Sequence, residues 1–512
     1  MTAEAAEDHN NAEKTNAYPR LLVMFRPPSR HTYGFRDGDT YDLPLLELQT
    51  LIQDRRNKHV HVNFIPVIER NKPSYNDLLS RKQKQSRNQM KKKKQKKNPN
   101  EASTQSLYWL ECSDDIISTA VSRAILTHAM FRIQYSASFP NEDWINSLTN
   151  NEGKVHECLE GIDVISMSNP NISNEECSSL LQTVSILLQN QNNDDLNCLE
   201  RQSTLDKDNI LIYHCDQRSD KITHCIHVGT RMAIGPAGTS SAPSQTLRRT
   251  HRGILKEYAL KNRSKGVTAE SDISTAMEPE LGFLMANLAL AGTDAGQRVM
   301  DPCCGSGSLL LYSAALGARR LIGVDSLASV WESSEDEFKR HTTVIGKRKL
   351  YMPTFFQGDV LDHSSTECLY EANSCDAIVV DPPYNIGAPV LLSGQDARPI
   401  NYHNSEGDVE KERVDRAEAI NNDQYDTIPS ILTIARRVLV DGGRLVFFLP
   451  VRGEEMNITL KELLVKKGWQ ITGSDEQLQI LFGRLQRFTP TFARWLVCMT
   501  KSSANDTSSM KI

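Results

Sequence analysis

The stretch RVMDPCCGSGSLLLYSAALGARRLIGVD, residues 298–325, decides the fold. An apolar run closes on Asp301, a loop with Gly305, Ser306 and Gly307 follows, an apolar segment continues to Gly317, and a second apolar run closes on Asp325. Strand, glycine loop, helix and strand in that order make a βαβ unit, the repeating piece of a doubly wound parallel sheet. Glycines let the backbone approach a ligand, and the helix start behind them offers free N–H groups to an anionic group. An acid at the end of the next strand can accept from both hydroxyls of a ribose, which is the reading for Asp325. The full G-x-G-x-x-G is absent and no Walker lysine follows, so NAD and ATP readings lose ground. Cys303 and Cys304 have no base indicated beside them and read as small apolar loop residues.

The alternation continues outward. ELGFLMANLALA (280–291) and TIPSILTIARRVL (427–439) read as helices, and DAIVVD (376–381), RLVFFLP (444–450) and RWLVCM (494–499) as buried strands. The strand DAIVVD runs into Pro382, Pro383 and Tyr384 at the carboxyl edge of the sheet, where open α/β folds bind ligands. Two prolines hold the backbone extended and remove N–H donors. What remains is acceptors, the Asp381 carboxylate and the Pro382 carbonyl, beside a Tyr384 ring on which a base can stack. Methylating an exocyclic amine needs this set: the nitrogen lone pair is delocalised into the ring, and acceptors gripping its hydrogens turn it toward a methyl donor.

The N-terminal half reads as α+β. LLVMF (21–25), HVHVNFI (59–65) and SLYWLEC (106–112) are expected strands, and LPLLELQTLIQD (43–54) an expected helix, with a further helix from about Asp114 through His128. A helical pattern spans 174–189, and short strands are expected at 210–214 and near 227–232. His59 and His61 lie on one strand face without a third ligand, and the 11 cysteines contain no C-x-x-C pair, so no metal site is expected. From Arg81 to Lys97 the chain carries ten Lys or Arg and no acid, including Lys91, Lys92, Lys93 and Lys94. Such a run reads as a solvated insertion, with phosphate capture or nuclear import as its functional alternatives. A second basic stretch, 246–265 with Arg248, Arg249 and Arg252, reads as a connector that touches phosphates or as a solvated helix face.

The chain as a whole, 512 residues with net charge −5, is excluded as a uniformly basic nucleic-acid coat, while local basic patches stay open. No apolar leader and no apolar run of membrane-spanning length is seen, so a cytoplasmic chain with a possible nuclear pool is expected. The expected organisation is a disordered 1–17, an α+β region 18–245 interrupted by the insertion 71–105, a connector 246–270, a Rossmann-like domain 271–502 and a polar tail 503–512.

D-P-x-x-G-S-G-S followed by V-D and D-P-P-Y resembles the S-adenosylmethionine-dependent amino methyltransferases. More narrowly, RGILKEYALKNR, STAMEPELGFLMANLALA and MDPCCGSGSLLL are similar to the eukaryotic tRNA guanine N2-methyltransferases that act at position 10. The resemblance implies a Rossmann-like methyltransferase domain preceded by an N-terminal, THUMP-like RNA-binding region. Its implied cofactor is S-adenosylmethionine, with tRNA as substrate and a small zinc-binding activator subunit as partner in a heterodimer. By the same resemblance Asp301, Gly305, Ser306 and Gly307 cradle the cofactor, Asp325 takes its ribose, Asp359 lies by the adenine, and Thr275 and Met277 close over it. Asp381, Pro382 and Tyr384 would hold a flipped guanine. Asn385 follows D-P-P-Y where that family continues with Gly, which keeps DNA adenine, another RNA, a protein glutamine or a catalytically silent RNA-binding chain as alternatives.

Overall fold

The computed structural model describes residues 21–25, 32, 35–36, 42–53, 62–66, 107–112, 117–140, 163–167, 209–218, 221–234, 277–326, 335, 338–339, 350–362, 371–383, 427–469 and 478–502. In chain order these form β1 (Leu21–Phe25), β2 (Phe35–Arg36), α1 (Leu43–Ile52), β3 (Asn63–Pro66), β4 (Leu107–Glu111), α2 (Ile117–Arg123), β5 (Thr127–Pro140), β6 (Asp163–Met167), β7 (Asn209–Arg218) and β8 (Lys221–Ile234). The second half adds α3 (Pro279–Leu288), β9 (Arg298–Asp301), α4 (Ser308–Ala315), β10 (Arg320–Asp325), β11 (Thr354–Gln357), β12 (Cys375–Val380), α5 (Ile428–Val438) and β13 (Leu439–Arg452). A 3-10 turn (Gly453–Asn457), α6 (Leu460–Lys466), β14 (Leu478–Arg487) and β15 (Phe492–Lys501) complete it.

The first sheet has the order β3-β4-β1-β5-β8-β7-β6, antiparallel apart from the β6–β7 pair. All five residues of β1 are buried, as suits a central strand covered on both faces. Leu21, Val23 and Phe25 pack with Leu48, Leu51 and Ile52 of α1 and Val121 of α2, while Leu22 and Met24 pack with Leu107, Phe131 and Ile133.

The second sheet is the one the glycine stretch announced. Its order is β11-β10-β9-β12-β13-β15-β14-β2, with parallel pairing from β11 through β13 and β15 antiparallel between β13 and β14. The chain moves outward from β9 to β10 and β11, then returns to lay β12 on the other side of β9. That reversal is a topological switch point, and it lies between the glycine loop and Asp381. This is a Rossmann-like, doubly wound sheet. α3 and α4 cover one face, and α5 and α6 the other. β12 is buried at all six positions, which accounts for its uninterrupted apolar run.

Several expectations need correction. The helix predicted to reach His128 ends at Arg123, and Thr127 already starts β5. The reason is Glu47: its fully buried carboxylate accepts from the backbone N–H groups of Ile125 and Leu126, both at 2.8 Å, and draws them out of the helix ladder. The structure adds β6, β5 beyond His128 and, in the second half, β11, β14 and α6, none of which the sequence pattern predicts. The second sheet is not confined to residues beyond 271: Phe35 and Arg36 pair with Gln486 and Leu485 as its eighth strand, and Phe35 stacks on Phe448 at 6.3 Å. The expected helix at 174–189, His59 and His61, the basic insertion and the connector lie outside the described residues.

The two halves are stitched by buried and half-buried polar groups. Asn287 of α3 donates from Nδ2 to Glu47 at 2.7 Å and to the Arg123 carbonyl at 2.8 Å, and the Arg123 guanidinium donates to the carbonyls of Leu316 and Ala291. Asp42 receives a two-pronged bond from Arg484 of β14, at 2.9 and 2.6 Å. A buried charge is tolerated when its hydrogen-bonding capacity is met, and breaking one partner leaves the other exposed to the full desolvation cost.

Candidate active site

The candidate cofactor wall is made locally. Asp301 ends β9, 2% exposed, and its Oδ1 accepts from the Cys303 N–H at 3.1 Å. Asp325 ends β10 and its Oδ2 accepts from the Gly305 N–H at 2.8 Å, so the acid of the second strand buttresses the glycine loop of the first. The Cys304 N–H donates to the Val324 carbonyl and the Gly307 N–H to the Cys304 carbonyl, at 2.9 and 2.7 Å, closing the loop on itself. Gly305 and Gly307 have φ of +47° and +71°, a region that penalises any side chain. A Cβ built on Gly305 would meet nothing within 4 Å, so this turn faces open space that a ligand can enter. Gly307 caps α4, whose first-turn N–H groups have no carbonyl partner within the helix.

Asp359 follows β11, is buried, and accepts from the Leu361 N–H at 2.9 Å, while the Gly358 N–H donates to the Asp325 carbonyl at 3.0 Å. Met277, just before α3, is pinned on both backbone groups. Its N–H donates to Ser308 Oγ at 3.1 Å and its carbonyl accepts from Tyr312 Oη at 3.0 Å, so the lead-in to α3 is fastened over the start of α4. Ser306 is buried in the loop. Thr275 lies outside the described residues.

Across the switch point, Asp381 and Pro382 stand at the carboxyl end of β12 as the candidate substrate wall. Tyr384 lies outside the described residues, as do Lys91, Lys92, Lys93, Lys94, Arg248, Arg249 and Arg252. Asp381 Oδ1 stands 3.9 Å from Nη1 of Arg494, which β15 contributes. Nothing in the RWLVCM run had marked that arginine. Its guanidinium lies 3.7 Å from the centroid of Phe448 and 5.1 Å from that of Phe488, and its Nε donates to Gln486 Oε1 at 2.8 Å. The only sequence signal was a basic residue opening an otherwise apolar buried strand.

Crowded acids shape the electrostatics. Burial, followed by the charges of Asp325 and Asp381, pushes the Asp301 carboxyl well above the usual range against the pull of the Cys303 N–H. Burial raises Asp381 to about 6, and Arg494 opposes the rise. The Cys303 thiol is pushed well up by burial and then by the charges of Asp301, Asp325, Asp359 and Asp381. Cys304 is raised for the same first reason. Both cysteines are held as thiols, which fits packing and not nucleophilic attack. Among the described residues no cluster of three or more His, Cys, Asp or Glu has the arrangement of a metal site, and no helix is long and apolar enough to cross a membrane.

No family model matches the chain. It is 29% identical over 215 residues to the tRNA (guanine(10)-N(2))-methyltransferase TRMT11 of Dictyostelium discoideum, covering 40% of this chain and 38% of that protein. To the tRNA (guanine(10)-N(2))-methyltransferase of Schizosaccharomyces pombe it is 27% identical over 267 residues, 51% of this chain and 50% of the relative. A tRNA (guanine(10)-N2)-dimethyltransferase of Methanothermobacter thermautotrophicus is 32% identical over 113 residues, 22% of this chain and 29% of the relative. The match thus spans half or less of the length of each of these relatives.

Proposed function

We propose that the chain transfers a methyl group from S-adenosylmethionine to N2 of a guanine in tRNA, at position 10, and that it does so by direct in-line transfer. One observation carries the reading: a strand-end Asp381 followed by proline stands across the switch point from a glycine loop buttressed by Asp325, in a chain similar to guanine N2-methyltransferases. The donor set fits the cofactor. Positive φ at Gly305 and Gly307 and the open space at Gly305 admit the methionine end, and the four carboxylates whose charges act on Cys303 favour a cationic ligand. When bound, S-adenosylmethionine supplies an electrophilic methyl group on a sulfonium.

The residues of the chain do the rest. Asp301, Gly305, Ser306 and Gly307 hold the methionine end, Asp325 the ribose and Asp359 the adenine, with Thr275 and Met277 as the closing segment. Asp381 and the Pro382 carbonyl accept from the two N2 hydrogens of a guanine turned out of its stack, and Tyr384 offers a stacking face. Holding both hydrogens orients the nitrogen and stabilises the positive charge that grows on it. With its proton affinity raised to about 6, Asp381 is ionised at neutral pH yet close enough to it to take the proton that the methylated amine sheds.

The α+β half, read as THUMP-like, together with Lys91–Lys94 and Arg248, Arg249 and Arg252, is the proposed tRNA-holding surface. A small zinc-binding activator is the proposed partner, and the cytoplasm, with a nuclear pool, the proposed place of action. The test is a methyl-transfer assay on the chain coexpressed with that activator, offering unmodified tRNA, DNA and protein, with the product identified by mass spectrometry. N2-methylguanosine in tRNA is expected, and N2,N2-dimethylguanosine would extend the reading to a second transfer. Methyladenine in DNA, methylglutamine, or bound cofactor without product would overturn it.

A further inference from the structure

We propose that the closed end of the β14–β15 hairpin is a nucleotide-binding platform for the RNA: Phe488, stacked on Phe492, takes the base of a nucleotide next to the target guanine, and Arg452 meets a phosphate. The inference deepens the reading above and rests on it for the kind of substrate.

The ring pair is built into the sheet. Phe492 opens β15 and stands in register with Arg452, the last residue of β13. Phe488 follows β14, and its ring stacks on that of Phe492 with centroids 5.4 Å apart and planes at 17°. The turn between them is held by its own hydrogen bonds. The N–H groups of Phe488 and Thr489 both donate to the Phe492 carbonyl at 3.1 Å, and the Phe492 N–H donates to Thr489 Oγ1 at 3.0 Å. The Gly453 N–H donates to the Thr491 carbonyl at 3.3 Å and ties the turn to the end of β13. Phe488 nevertheless stays 49% exposed. A large ring that a closed turn holds open to solvent loses little freedom when a flat partner lands on it.

Charge and place select that partner. The Arg452 guanidinium lies 6.0 Å from the Phe492 centroid, and that of Arg494 lies 5.1 Å from the Phe488 centroid, so a cation stands beside each ring. The 3-10 turn after β13 brings Glu454 and Glu455, and Glu455 is paired with Lys467 at 3.1 Å. An aromatic surface with cations at its margin suits a base and its phosphate better than an apolar peptide. The platform also adjoins the chemistry, since the same Arg494 guanidinium comes within 3.9 Å of Asp381. A guanine turned out toward Asp381 leaves its neighbours without a stacking partner, and a fixed aromatic face restores one.

The experiment measures equilibrium binding of unmodified tRNA to the full chain with its activator, as wild type, Phe488→Leu, Phe488→Tyr and Arg452→Gln, beside melting temperature and S-adenosylmethionine affinity. Phe488→Leu should weaken tRNA binding about tenfold, and Phe488→Tyr should stay within about threefold of wild type. Arg452→Gln should lower the salt slope of binding by about one. Melting temperature and cofactor affinity should hold in all three. On tRNAs lacking the base at one or the other neighbour of the target guanine, one position should cost wild type a similar factor and cost Phe488→Leu nothing further. Equal tRNA affinity in wild type and Phe488→Leu would overturn the proposal, as would the same added loss on every RNA, or a loss that follows melting temperature and marks a packing role. Release of the activator with tRNA affinity kept would make the ring a protein contact and overturn it too. If wild type binds tRNA but forms no N2-methylguanosine, the parent reading fails instead, and the Phe488→Leu and Phe488→Tyr affinities still decide the platform.

Discussion

The two walls of the site are built by opposite means. On the candidate cofactor wall the contacts seen among the described residues are local. Asp301 accepts from Cys303, Gly305 donates to Asp325, Asp359 accepts from Leu361, and Met277 is tied to Ser308 and Tyr312, all within or beside one βαβ unit. On the candidate substrate wall one group beside Asp381 is Arg494, brought in by the last described strand and held by Phe448 and Gln486 from two others. A local wall can be assembled from one stretch of sequence, so it tolerates change elsewhere. A wall assembled from three strands depends on the register of the whole sheet.

The largest expected effects separate the walls. Asp381→Ala should lower kcat by about 10³-fold while the affinity for S-adenosylmethionine stays within about threefold, because the lost acceptor acts on the amine alone. Asp325→Ala should do the reverse, weakening cofactor binding by about 10- to 100-fold through loss of both a ribose partner and the Gly305 buttress. Calorimetry beside single-turnover rates checks both, and equal losses of affinity and rate in Asp381→Ala would break the comparison.

Next in size is Gly282→Ala. Its new Cβ would sit 2.0 Å from Tyr312 Cδ2, so the ring must move, at about 1–3 kcal/mol of stability by denaturant titration. Tyr312 also anchors the Met277 carbonyl, so cofactor affinity should fall with stability while the tRNA KM holds. A fall in stability alone would uncouple Met277 from the site.

Asp381→Asn tests the other wall by pH. The folded chain raises this carboxyl to about 6, above its unfolded value, so ionising it opposes folding. That penalty is absent below about pH 4, develops between about pH 4 and 6, and is complete above. The variant should match wild type near pH 4 and be more stable by about 1–2 kcal/mol at pH 7.5, a figure kept small because the side chain is 24% exposed and solvent screens it. Equal stability at both pH values would remove the burial argument. Of similar size is Gly307→Ala, which forces a side chain onto φ +71° at the cap of α4 and should cost about 1–2 kcal/mol, with cofactor affinity falling in step.

How far the sequence could be read follows the same division. The βαβ unit, β12 with its D-P-P-Y end, α5 and β13 were all legible, because buried parallel strands and glycine turns leave short-range patterns. β14 was not: LQILFGRLQR alternates exposed and half-buried positions without a clean period, so its strand character comes from pairing with β15 and β2. The helix end at Arg123 was misread because the acceptor that stops it, Glu47, sits in another element far back in the chain.

The sequence by itself determined the local chemistry: a glycine loop, acids at strand ends, and an acceptor set at Asp381 and Pro382, each dictated by residues a few positions apart whose backbone preferences are strong. The tertiary structure alone decided that a basic side chain comes beside Asp381 and which strand pairs last in the second sheet. Arg494 and Phe35 take those places through pairing between strands remote in sequence, and no local rule encodes a partner whose position depends on the register of every strand between.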